Sequence, residues 1–191
     1  MAEALRKRVF TYKDYTSWPD EERWEVIEGT AYNMSPGAGI THQNISGELF
    51  YAFKHYLRGK ECKVYHPPFD VVLPENGETV KNATNIVQPD IMVICDKNKL
   101  FEDKCCAGPP DLIVEILSPS SASRDMKYKF SLYERFGVKE YWLVDPMYKT
   151  VQVYTLGIDK LYGRPATYSS EDKIKVGIFA DLEIDLKIIF A

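Results

Sequence analysis

The 191-residue chain carries 24 Lys and Arg against 28 Asp and Glu, a formal net charge of -4. It is long enough for one domain with a full core, and it lacks the overall basic field of a constitutive nucleic-acid binder. No apolar run approaches the roughly 18 residues of a membrane span, and the N-terminal MAEALRKRVF has no signal-peptide stretch, so the cytoplasm is the expected compartment. The four cysteines, Cys62, Cys95, Cys105 and Cys106, show neither Cys-x-x-Cys spacing nor a histidine pattern beside them. They read as reduced thiols, not as a zinc site or a disulfide framework.

From the N-terminus, Thr11-x-x-Asp14 reads as a capped short helix, and Trp18-Pro19-Asp20-Glu21 as a turn. Residues 24–28 and 30–34 read as short strands paired around Gly29. Ser35-Pro36-Gly37-Ala38-Gly39 is a loop whose glycines invite a phosphate-loop reading, but no Gly-Lys-Ser/Thr follows. Thr41 reads as the cap of a helix running to about residue 58, with Ile45, Leu49, Ala52, Phe53 and Tyr56 at helical spacing. At about 100° per residue His42 falls inside this apolar stripe, and Glu48 lies at its edge, about 85° from the centre. Glu48 is either a carboxylate reaching a site beside the helix or a solvated one. His42 is either a satisfied core histidine or a ligand.

Residues 62–73 read as a strand broken at Pro67-Pro68, with Asp70 on the face of Val72. An Asn-Gly turn follows at 75–78. The run IVQPDIMVIC (86–95) is apolar on both faces and reads as one central strand, with Gln88, Asp90, Met92 and Ile94 on one side. Residues 96–110 read as a polar connection. DLIVEILS (111–118) repeats the strand pattern, with Glu115 sharing a face with Ile113 and Leu117 while Leu112, Val114 and Ile116 take the other. The serine-rich 118–123 segment ends that strand and caps a helix. No histidine lies downstream to activate a serine nucleophile.

The helix over about residues 124–136 stops at Gly137. Its expected apolar face is Met126, Leu132, Tyr133 and Phe136, and the same angular count puts Lys129 within about 10° of the middle of that face, flanked by Asp125. Residues 140–145 (EYWLVD) and 151–156 (VQVYTL) read as strands joined by a turn. Residues 157–170 read as a loop, 173–178 as a last strand and 181–190 as short closing apolar pieces.

Two carboxylates inside core strands and a lysine on an inward helix face need partners, because an unpaired buried charge is costly. On adjacent strands, Asp90 and Glu115 suit a hard divalent ion such as Mg²⁺, with Mn²⁺ as a substitute and the backbone carbonyl of Ile116 as a further ligand. Lys129 would then orient and help deprotonate a metal-bound water, or neutralise phosphate charge. That is equipment for phosphodiester hydrolysis. The bland alternative is a structural Asp-Glu-Lys network.

Pro89-Asp90 followed by Glu115-Ile116-Leu117 resembles the motif of the PD-(D/E)XK nuclease superfamily, and its context resembles the Uma-two family of restriction endonuclease-like proteins within it. The matching pieces include WEVIEG (24–29), Met34-Ser35-Pro36, His42, Gln88-Pro89-Asp90, VEILSPS (114–120), Arg124-Asp125 with Lys129 and Tyr133, and GVKEYWLVDP (137–146). The superfamily's third motif residue, a lysine, is Leu117 here, and Lys129 matches the position to which this branch moves it. The glutamate that the superfamily carries on its first core helix matches Glu48, with Glu28 and Asp70 as rivals.

The resemblance implies an α/β fold in one domain spanning 1–191: a restriction-endonuclease-like core over about 41–156, an N-terminal hairpin and C-terminal strands. Its mixed central sheet would take the strands at Cys62, Ile86, Asp111 and Glu140, flanked by the Thr41 and Arg124 helices. It also implies a Mg²⁺-dependent endonuclease acting on DNA, with RNA as a second option, and a homodimer without membrane association. Asp90, Glu115, Lys129 and Glu48 would be catalytic, and Asp90, Glu115 and the Ile116 carbonyl would hold the metal. The alternative is a nuclease-fold binding module without turnover. Lys54, Arg58, Lys60, Arg124 and Lys127 are candidates for phosphate contacts or are solvated charges.

Overall fold

The strands read at 111–118 and 140–145 lie side by side, in parallel, at the centre of a sheet buried on both faces. The computed structural model describes residues 8–19, 22–34 and 39–191. The expected turn at Asp20-Glu21 and the glycine loop at 35–38 lie outside them.

In chain order the first elements are α1 (Tyr12–Tyr15), β1 (Trp24–Ile27), β2 (Thr30–Asn33), α2 (Ile40–Tyr56), β3 (Lys63–Tyr65) and β4 (Asp70–Val72). Then come β5 (Ile86–Val87), β6 (Ile91–Ile94), β7 (Leu100–Phe101), β8 (Cys105–Ala107) and β9 (Leu112–Ile116). A π-helical segment, Arg124–Lys129, runs straight into α3 (Phe130–Phe136). The chain closes with β10 (Glu140–Asp145), β11 (Thr150–Thr155), β12 (Ala166–Ser169), β13 (Lys173–Lys175), β14 (Glu183–Asp185) and α4 (Leu186–Ile189).

The strands form two six-stranded mixed sheets, ordered β12-β11-β10-β9-β6-β3 and β2-β1-β5-β4-β8-β7, with β13 and β14 as a separate pair. On one face of the first sheet, Ile45, Leu49 and Phe53 of α2 cover Ile91, Val93, Leu112, Val114, Trp142 and Val144. On the other, Met92, Ile113, Tyr141 and Leu143 meet Leu132 and Tyr133 of α3 and the second sheet's Ile27, Val71 and Val87. The alternation expected in β9, with Ile113 and Glu115 opposed to Leu112, Val114 and Ile116, is what separates these two cores.

Several expectations are corrected. Residues 86–95 are not one strand: β5 belongs to the second sheet and β6 to the first. Pro89 has no N–H to give a ladder, and the chain changes sheets there, which puts Gln88–Asp90 at the junction between them. Thr41 does not cap α2; Gly39 is the N-cap and offers no side-chain bond. The 96–110 connection contains β7 and β8, and the 157–170 loop contains β12. Met126 is 54% exposed and not part of the apolar face, because the wider π-helical turn breaks the α-helical count. Cys62 and Cys95 form a disulfide. The antiparallel register that sets Lys63 opposite Ile94 brings those two cysteines face to face on the next rung, a cross-strand relation invisible in their spacing. Cys105 and Cys106 are free and buried.

Phe53 is fully buried, with its ring centroid 5.8 Å from that of Trp142. Phe53→Ala should lower unfolding free energy by about 3–5 kcal/mol, read from urea denaturation. A loss under about 1 kcal/mol would mean that α2 does not seal the first core.

Candidate active site

β1, β9 and the π-helical segment come from distant parts of the chain and meet at one ammonium group. Lys129 Nζ lies 2.7 Å from Glu25 Oε1, 3.0 Å from Glu115 Oε1 and 3.3 Å from Asp125 Oδ1. The Lys129 side chain is 4% exposed and that of Glu25 0%. Local structure explains the convergence. Glu25 shares the inward face of β1 with Ile27, Glu115 shares the inward face of β9 with Ile113, and the π-helical winding brings Asp125 and Lys129 to the same side. Tyr133 donates its hydroxyl to Glu115 Oε1 at 2.8 Å, and Tyr141 donates to the Asp125 carbonyl at 3.2 Å. Glu25 Oε2 accepts from Arg124 Nη1 at 3.2 Å.

The antiparallel register of β6 and β9, with Ile91 opposite Val114, carries Asp90 up to Glu115. Asp90 Oδ2 accepts the Ile116 N–H at 2.8 Å and lies 3.2 Å from His42 Nε2. Gln88, two residues earlier, ties this loop to the second sheet. Its N–H donates to Glu25 Oε1 at 3.1 Å, its amide nitrogen to Asp70 Oδ1 at 2.9 Å and to the Tyr15 hydroxyl at 3.0 Å, and its amide oxygen accepts from Arg23. Asp90, Glu115, Lys129, Asp125, Glu25, Arg124, Arg23 and His42 all line one cleft of about 450 Å³, with His66 and the Pro67-Pro68 bend also on its lining.

The charges are strongly coupled. Burial drives the Glu115 carboxyl well above its ordinary range, with Lys129 opposing. Asp125 is raised for the same reason, again against Lys129. For Lys129 burial works to lower the pKa, but Glu115, Glu25 and Asp125 outweigh it and hold the amine well above its ordinary value. Burial likewise works to lower His42, and the hydrogen bond and charge of Asp90, with the Ile116 backbone, more than offset it. The three carboxylates around Lys129 thus favour its protonated form.

Of the sequence candidates, Asp90, Glu115 and Lys129 come together as expected, and His42 joins them. Glu48 does not: it is solvent-exposed on α2 and absent from the cleft lining. Of its rivals, Glu28 pairs with Arg135 at the surface, and Asp70 is held by Tyr15 and Gln88. Burial raises Asp70, and those two hydrogen bonds oppose the rise. The carboxylate that sequence reasoning missed is Glu25. A signal was present, since Glu25 alternates in phase with Ile27 in a strand whose other residues are apolar. Among the basic candidates Arg124 lines the cleft, Lys127 is exposed three residues after it, and Lys54, Arg58 and Lys60 are exposed on or just after α2.

Among the described residues no three His, Cys, Asp or Glu side chains form a ready metal cluster. A cation here would draw on Asp90, Glu115, the Ile116 carbonyl and water, which suits Mg²⁺. Both hydrogen bonds to Asp90 end on Oδ2 and both to Glu115 on Oε1, so among the described residues one oxygen of each accepts none. That donor set fits a hard divalent ion.

Comparison with known proteins adds three findings. A family model named Uma2 (Uma-two), described as "Putative restriction endonuclease", matches residues 12–187. Two uncharacterized Synechocystis proteins are similar: slr1290 is 28% identical over 145 residues, covering 74% of this chain and 72% of that protein, and sll1609 is 24% identical over 151 residues, covering 77% and 81%. A crystal structure from Anabaena variabilis, titled as a putative nuclease belonging to DUF820, superposes with a TM-score of 0.74 at 20% identity, covering 95% of this chain and 97% of that one. The two chains share a fold.

Lys129→Met would leave Glu115 and Asp125 buried without their cation and Glu25 with Arg124 as its remaining one, at a cost of about 3–5 kcal/mol at neutral pH. A carboxyl whose folded-state pKa is raised costs nothing below its unfolded value of about 4 and most above the folded one. The deficit against the unaltered protein should therefore shrink as pH falls from 7 towards 5. Urea unfolding at both pH values checks this, and a pH-independent deficit would contradict it.

Proposed function

Because the chain belongs to the Uma2 family, we propose that it is a Mg²⁺-dependent endonuclease hydrolysing DNA phosphodiester bonds, with Asp90, Glu115 and Lys129 as its catalytic residues. The observation that carries this reading is one cleft in which Asp90, just before β6, and Glu115 on β9 lie together with the Lys129 ammonium 3.0 Å from Glu115. When bound, Mg²⁺ supplies Lewis-acid polarisation and an activated water, and Mn²⁺ can replace it. Asp90, Glu115 and the Ile116 carbonyl would hold the ion. Lys129, kept protonated by its carboxylates, stabilises negative charge on the reacting phosphate instead of accepting a proton. Glu25 is a positioning residue. It fixes Lys129 and Arg124 while its Oε1 holds the Gln88 N–H ahead of Asp90. A homodimer with one cleft for each strand, working in the cytoplasm, completes the proposal.

One observation favours a second reading. An ammonium has three donor hydrogens, and Lys129 has three carboxylates within 3.3 Å, which is what a silent binding module stabilised by a structural network would also need. Substrate contact by the Lys129 ammonium requires one of these partners to loosen.

Supercoiled plasmid with Mg²⁺ or Mn²⁺ separates the two. Nicking should occur with the unaltered protein, vanish in Asp90→Asn and Glu115→Ala, and fall roughly 10–100-fold in Glu25→Gln. Nicking that survives both ligand substitutions would identify a contaminant, and a purified protein that never nicks would favour the binding module.

A further inference from the structure

Next to Arg124, which lines the cleft, lies an aromatic and cationic surface that the hydrolytic chemistry does not use. Tyr32 on β2 is half-buried against the core between the sheets, and its ring centroid lies 6.1 Å from that of Tyr128, tilted by 32°. Tyr128 is 44% exposed. Arg124 Cζ stands 5.3 Å from the Tyr32 centroid, and Lys127 Nζ stands 5.5 Å from that of Tyr128. Arg124 belongs to both surfaces. Its guanidinium lines the cleft, pairs with Glu25 at 3.2 Å and donates to the Asn33 carbonyl at 3.2 Å. Tyr128 also precedes Lys129 in sequence, so the position of the exposed ring is tied to that of the buried ammonium.

We infer that Tyr128, backed by Tyr32 and flanked by Arg124 and Lys127, is a stacking platform for an unpaired base of the DNA strand whose phosphate enters the cleft. The inference rests on the reading of that cleft as a phosphodiester-cleaving site. Three properties point to this ligand. An exposed ring braced by a core-packed ring offers a rigid face to a flat partner, and base-aromatic stacking is tolerant of sequence. Arg124 and Lys127 supply positive charge for the adjoining phosphates in a chain whose overall charge of -4 would otherwise repel DNA. A base taking the Tyr128 face displaces the exposed Lys127 ammonium towards its own phosphate. In a duplex both faces of a base are already stacked, so the platform is matched only by a single strand, a frayed end or a flap.

The test is binding under non-cleaving conditions, with Ca²⁺ in place of Mg²⁺. A short single-stranded DNA carrying one 2-aminopurine and the matching blunt duplex are titrated against the unaltered protein, Tyr128→Ala and Tyr128→Phe. Tyr128→Ala should weaken single-strand binding about tenfold and abolish the 2-aminopurine quench, leave duplex affinity within about twofold, and be rescued by the Phe ring. Equal weakening for both DNAs, no weakening, or no single-strand binding by the unaltered protein would overturn the platform. Cleavage is not part of this readout. A catalytically silent protein can therefore pass, and an active nuclease with an indifferent Tyr128→Ala variant would fail it with the active-site reading intact.

Discussion

The structure depends on the burial of one ammonium group. Lys129 sits in the interior between two sheets, and three carboxylates from β1, β9 and its own helical turn make that position tenable. Each element is needed by the others. Glu115 lies in a strand buried along its whole length and would be forced neutral without a cation. Glu25 has no exposure and holds two cations at once. Removing one charge from such a network costs more than the network adds over an apolar core, because the remaining charges stay buried.

The same constraint explains the irregular backbone beside the site. A regular α-helix from Arg124 would put Met126 inward; the π-helical winding exposes it while keeping Asp125 and Lys129 in contact. Pro89 ends one ladder and lets the chain step from the second sheet to the first. Gln88 secures that step through Glu25, Asp70, Tyr15 and Arg23. The loop carrying Asp90 is thus held by side-chain hydrogen bonds, although it belongs to no ladder.

Much of this was legible in the residues. The capping box at Thr11 and Asp14, the hairpin at Gly29, the helix stop at Gly137 and the strands around Glu115 and Trp142 follow local rules, and local rules decided them. Lys129 was legible because a charge at the centre of an apolar stripe is anomalous. What escaped depended on distant partners. Glu25 looks like any strand glutamate until β1 is set against Arg124 and Lys129. The Cys62–Cys95 bond needs the pairing of β3 with β6. The break within residues 86–95 needs a second sheet to receive β5. Glu48 rests on helical angle and on the family resemblance, and neither says how far along α2 the cleft extends.

The account turns on Lys129 being a permanent cation enclosed by carboxylates. NMR observation of its side-chain Nζ and Cε shifts against pH tests this most directly, with Lys129→Arg to assign the signal. The account predicts an ammonium that shows no titration from pH 6 to above the usual lysine value of about 10.4. An amine that loses its proton near neutral pH would contradict it, and would make Lys129 available as a general base.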